Sequence, residues 1–135
     1  MQEITINWLA LLVAIVVKVI LGALWYSPIA FAGSWSRLTG ITPEQMKTAM
    51  PKALPADIVS AILMAFVLVH AIRYAGAHGI SQGAAVGFFN WLGFVAATHI
   101  AGVFWERRPF GLFAINTGYQ LISLLIMGAI LATWT

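Results

Sequence analysis

The chain has no cysteine and very little charge, with four acidic and seven basic residues in 135. Without cysteine there are no disulfides, thiolate metal ligands or cysteine nucleophiles, and the redox compartment stays open. The shortage of charge excludes an ordinary soluble domain, in which about a quarter of residues are charged. Here the share is 8%, against 61% hydrophobic. So much apolar side chain cannot be hidden inside a fold of this size, and lipid has to take it. No dense basic cluster points to nucleic acid; the net charge of +3 suits anionic headgroups.

Long apolar runs are what the chain does have. Four stretches, roughly Ile6–Ser27, Ala56–Ala75, Ala84–Trp105 and Gly111–Trp134, each suffice to cross about 30 Å of hydrocarbon at about 1.5 Å per residue. The first reads as a retained span rather than a cleaved signal, because Glu3 and no Lys or Arg precede an over-long apolar run. The expected architecture is therefore an all-α integral membrane protein, residues 1–135 forming a single four-span domain.

Basic residues between the spans set the orientation. Arg37, Lys47 and Lys52 lie in the first connection and Arg107 and Arg108 in the third, while the opposite side has only Arg73. The first and third connections are expected to be cytoplasmic. Both termini and the Gly76–Gln82 turn then lie outside the cytoplasm.

Two parts of the chain read alike. Asn7-Trp8-Leu9 leads to Gly22-Ala23-Leu24-Trp25-Tyr26-Ser27-Pro28, and Asn90-Trp91-Leu92 leads to Gly102-Val103-Phe104-Trp105 and Pro109. Interfaces favour Trp, and turns favour Gly and Pro, so some recurrence is expected from those preferences alone. Two blocks in the same order argue further for parallel two-helix repeats, about 6–75 and 84–134. The copies differ in the cytoplasmic loop, about 28–55 in the first. There Thr42, Pro43 and Gln45 form a helix-starting signal. That signal predicts a short interfacial helix from Pro43 to Met50, ending before Pro51, or else an ordered loop over the bundle mouth.

The same motifs carry a resemblance. The Asn-Trp-Leu opening, Gly22 to Pro28, Trp35 with Thr39-Gly40, Trp105-Glu106-Arg107-Arg108-Pro109, and Ile115 to Gln120 running on to Met127-Gly128-Ala129 resemble the bacterial membrane family called domain of unknown function 1761. The resemblance covers nearly the whole chain. It implies a small four-span protein of the inner (cytoplasmic) membrane with no assigned activity. Lys18 departs from the small or apolar residue expected there, so a role for Lys18 would belong to this chain rather than to the family.

Polar groups inside hydrocarbon each need a partner or a purpose. Lys18 lies seven residues before Trp25, and Thr98 and His99 lie seven and six before Trp105, all about 10 Å deep. Asn116, Tyr119, Gln120 and Ser123 fall on one face of the fourth span. The expected site is a central patch of Lys18, Thr98, His99, Asn116, Tyr119 and Gln120, able to bind a small polar or anionic solute or to relay protons. Against it stands the reading that these groups only hydrogen-bond one another, or that Lys18 snorkels towards the headgroups. Asp57, Glu106, Arg107 and Arg108 are placed at the cytoplasmic rim, where hydration or ion pairing accounts for them.

His70 and His99 differ in depth by about 11 Å, which argues against a shared haem, and no ligand spacing for zinc appears. No cofactor or metal is expected. No nucleophile–base–acid arrangement emerges either, so the chain is not read as an enzyme. Two functions remain. One is a homo-oligomeric transporter or channel for a small polar solute or ion. The other is a non-transporting scaffold or accessory subunit that meets a partner through its cytoplasmic loop.

Overall fold

The computed structural model describes residues 3–134 and consists of helices joined by short turns. α1 runs Trp8–Trp25, α2 Ala32–Thr39, α3 Pro43–Ala75, α4 Gly79–Trp91, α5 Ala97–Trp105 and α6 Phe110–Thr133. A π-helical turn, Leu92–Ala96, joins α4 to α5, so Gly79–Trp105 is one interrupted rod. Among the described residues, α1, α3, this rod and α6 are long and apolar enough to cross a membrane.

Local chemistry sets the helix ends. The Asn7 side chain caps α1 by accepting from Leu9 N–H and Ala10 N–H, both at 3.1 Å. Thr42 and Gln45 close a reciprocal capping box at the start of α3, at 3.2 and 2.9 Å, with Pro43 in the first turn. α3 stops where Gly76 turns left-handed at φ 65° and the Ala77 N–H closes on the Ile72 carbonyl at 3.0 Å.

The helix that opens at Pro43 does not end before Pro51. It continues through Pro51 and Pro55 into the second long span, giving 33 residues without a break. The two prolines leave the carbonyls of Lys47 and Pro51 without their usual helical donors. Both residues lie on the exposed stretch before Ala61, where those carbonyls are open to outside donors. α2 is an additional helix within the first connection. Its N-terminal residue Phe31 makes no side-chain cap, so the sequence carries no start signal for it; Gly40 at φ 74° ends it. The turn after α3 is also shorter than predicted, because α4 already begins at Gly79.

α6 is the central post. It packs on α1, α2, α3, α4 and α5 and holds eight buried residues. The apolar core gathers Ala10, Leu11 and Ala14 from α1, Ala65, Leu68, Val69 and Ile72 from α3, and Leu124, Met127, Leu131 and Ala132 from α6. α4 meets α6 backbone to backbone. A Cβ on Gly83 would sit 2.1 Å from the Gly128 carbonyl oxygen, and one on Gly87 2.1 Å from that of Leu124. The four-residue glycine spacing of the sequence therefore serves a contact within the chain.

Candidate functional site

Away from this core, towards the Trp25 end of α1, the packing turns polar. Lys18 is only 4% exposed although it carries an ammonium group. Its Nζ donates to Tyr119 Oη at 3.0 Å and lies 4.2 Å from the centre of the Tyr119 ring. The Tyr119 hydroxyl in turn donates to the Lys18 carbonyl oxygen at 3.1 Å. A desolvated cation over an aromatic face is worth about 2 kcal/mol, and the hydrogen bond to the charge adds about 1.5–3 kcal/mol. Together these offset only part of the several kcal/mol that burying an ion costs. No carboxylate completes the balance: among the described residues the one ion pair is Glu106 with Arg108, far along the chain.

Gly22 makes room for this arrangement. One turn beyond Lys18 on α1, it faces Tyr119 so closely that an added Cβ would lie 2.7 Å from Oη. Two further contacts lock α1 to α6 beside it. Tyr26 Oη donates to Asn116 Oδ1 at 2.7 Å, and Trp25 Nε1 donates to the Ile115 carbonyl at 3.0 Å. The rings of Tyr26 and Tyr119 meet edge-on with centroids 5.5 Å apart, and Phe31 packs on Trp25 at 4.7 Å. The cluster therefore has an aromatic wall on the side of the loop.

Two buried polar atoms of α6 remain unpartnered. Ser123, 1% exposed and one turn beyond Tyr119, has a buried hydroxyl without a partner. Gln120 Oε1 is also buried without a partner. Buried polar atoms are nearly always satisfied, so each exception calls for an explanation.

Three of the six residues expected to form the patch lie on this α1–α6 seam: Lys18, Asn116 and Tyr119; Gln120 makes no contact with them, and the pairing of Gly83 with Gly128 and Gly87 with Leu124 places it opposite Trp91 on α4. Thr98 and His99 do not join them. Both are exposed and bond to their own helix, Thr98 Oγ1 donating to the Phe94 carbonyl at 2.8 Å and His99 Nδ1 to that of Val95 at 2.8 Å. The acceptors belong to the π turn, whose widened coil lies between α4 and α5. Register explains the separation as well. Continuing the pairing of Gly83 with Gly128 and Gly87 with Leu124 places His99 opposite Leu112, about 10 Å along α6 from Tyr119.

The rim charges divide similarly. Asp57 is exposed on α3 and forms no ion pair. Glu106 and Arg108 pair at 2.5 Å on an exposed turn, a contact worth about 0–1 kcal/mol. Arg107 sits between them at φ 54°, a left-handed backbone for which a non-glycine residue is uncommon.

Gly22, Trp25 and Tyr26 complete the seam. Interface preference alone would put Trp25 at the membrane boundary, yet its indole N–H is spent inside the protein. The recurring block Gly22 to Pro28 was the available signal for it. Trp91 behaves alike, donating to the Thr117 carbonyl at 2.7 Å.

Compared with known proteins, residues 9–132 match a family model described as a protein of unknown function (DUF1761). No curated protein matches, and no solved structure does.

Proposed function

The chain belongs to the DUF1761 family of proteins of unknown function, and from there we propose that it binds and passes a small polar solute or ion at the Lys18 cluster, as a homo-oligomer in the membrane. One observation carries this reading: an ammonium group 4% exposed, on a helix apolar enough to span a bilayer, with a phenol and no carboxylate for company. A group so costly to bury in that setting marks a functional site by default. Four short helices enclose little volume, which is why the pathway calls for more than one copy. In the same proposal the chain is one four-span domain of two parallel repeats, a fused ancestral dimer. It resides in the bacterial inner membrane with both termini outside the cytoplasm, and it catalyses no reaction.

Solute flux in reconstituted vesicles tests the reading. Lys18→Ala and Asn116→Ala change flux while assembly persists; unaltered flux in both removes it.

A second reading draws on a different feature. The first eighteen residues of α3, Pro43–Ser60, are exposed at all but one position, leaving an arm with Met46, Met50 and Leu54 along one side and Lys47 and Lys52 beside them. Spacing at i, i+4 and i+8 suits either an interfacial helix or a partner's groove. In this reading the protein is a scaffold or accessory subunit. Replacing residues 33–52 with a short linker then abolishes partner capture and spares the fold; capture of the same partners by the shortened chain rules it out.

A further inference from the structure

We infer that α3 carries a lipid site: a groove that takes one acyl chain of an anionic phospholipid, with Lys52 at the phosphate and the Pro51 carbonyl at a headgroup hydroxyl. The site stands apart from both readings above and needs only that the apolar part of α3 lie in the membrane. The groove has a volume of about 540 Å³, within the range of about 300–1,000 Å³ found for small-molecule sites. Pro55, Val59, Leu63 and Met64 line it together with the small Ala56 and Ser60. Ala61, Ala65, Leu68 and Ile72, buried in the bundle, lie on the other side of the helix. The groove is apolar and open outward. That suits an occupant whose far side stays in lipid, whereas a dissolved solute would have to be enclosed.

Length brings a charge to headgroup height. α3 has 33 residues and extends about 50 Å, against about 30 Å of hydrocarbon. With Ala56–Ala75 filling the hydrocarbon, Lys52 lies about 6 Å further out, inside an interfacial layer about 5–7 Å deep. Lys52 is exposed, and Lys52, Ala56, Val59 and Leu63 fall at i, i+4, i+7 and i+11, on one face. Asp57 lies about 140° further round the helix and does not share that face. Pro55, inside the helix and lining the groove, denies the Pro51 carbonyl its usual donor. Helix carbonyls point towards the residue four further on, so this acceptor is directed at the turn where the groove begins. The mouth thus offers one cation and one vacant acceptor. A phosphate answers the first and a hydroxyl the second; a glycerol headgroup supplies both. Choline has no donor for the carbonyl, and its own positive charge competes with Lys52.

Native mass spectrometry of the full chain, released from nanodiscs of phosphatidylcholine doped with phosphatidylglycerol, tests the site. The wild type retains one phosphatidylglycerol per chain in preference to phosphatidylcholine. Lys52→Gln lowers that retention about fivefold, while Lys47→Gln, about 140° away round the helix, leaves it unchanged. Ala56→Phe fills the groove and lowers retention too. Phosphatidylmethanol, equally charged but without the hydroxyls, is held less well than phosphatidylglycerol, and Pro55→Ala, which restores a donor to the Pro51 carbonyl, removes that difference. All four positions are exposed, and helix content checks each variant; Lys52→Gln carries the test if Ala56→Phe does not fold. Equal loss in the two lysine variants means diffuse attraction to an anionic surface and overturns the inference. Equal retention of phosphatidylglycerol and phosphatidylmethanol by the wild type overturns it as well. So does a chain that retains no lipid and dimerises until Ala56→Phe separates it, because a second copy then fills the groove.

Discussion

Lys18 and Tyr119 hold each other twice, through an ammonium-to-phenol hydrogen bond of 3.0 Å and a phenol-to-carbonyl bond of 3.1 Å. The two bonds fail differently under mutation. Tyr119→Phe removes both and leaves the buried ammonium with the ring face alone, at a cost of about 1–3 kcal/mol. Lys18→Met removes the charge and leaves the phenol bonded to the carbonyl of residue 18. It is neutral or stabilising, by up to about 4 kcal/mol. Unfolding in mixed micelles ranks the two variants, and the opposite order contradicts this geometry.

Gly22 and Tyr119 are coupled through space. Gly22→Ala places a methyl group 2.7 Å from Oη and 3.2 Å from Cζ, and forcing that overlap costs about 1–3 kcal/mol. In a Tyr119→Phe background the nearest clash is gone, so the same substitution costs less. A double-mutant cycle reads the coupling directly; additive effects would mean that the two residues do not touch.

The α4–α6 contact makes a contrasting prediction at glycines far from the polar seam. Gly83→Ala and Gly128→Ala each drive a methyl group into the opposing backbone, at 2.1 and 2.2 Å, and the helices must part at a cost of about 1–3 kcal/mol. Gly33→Ala meets nothing within 4 Å and stays within about 0.5 kcal/mol. Thermal melting in lipid compares the three.

Thr98 and His99 should be bystanders to the polar seam. Exchanging both for Ala changes stability by no more than about 0.5 kcal/mol and leaves the Lys18–Tyr119 contact intact, as monitored by the Tyr119 ring resonances. Loss of that contact on mutating α5 would return both residues to the site.

These placements show what the sequence could and could not reveal. Apolar length located the long helices, and the spacing of Asn116 and Tyr119 put both on the side of α6 that meets α1, because both readings depend on period alone. Thr98 and His99 lie apart from the seam for a reason that depth does not carry: a count from Trp105 gives level but not facing, and the π turn at Leu92–Ala96 adds a residue that rotates α5 by about 100° relative to α4. Pro51 read as a stop because its missing N–H was assumed to matter, but the orphaned carbonyls lie on an exposed stretch. α2 has no capping side chain at Phe31, so composition gave nothing to read.

Magic-angle-spinning NMR of the protein in lipid tests the central claim most directly. With Lys18, Lys47 and Lys52 as the full set of lysines and three tyrosines in the chain, a Nζ-to-aromatic correlation is assignable without ambiguity. A through-space cross-peak between Lys18 Nζ and the Tyr119 ring is the result required by the 4.2 Å separation. Lys18 Nζ correlated with acyl chains or bulk water, and silent towards Tyr119, would contradict it.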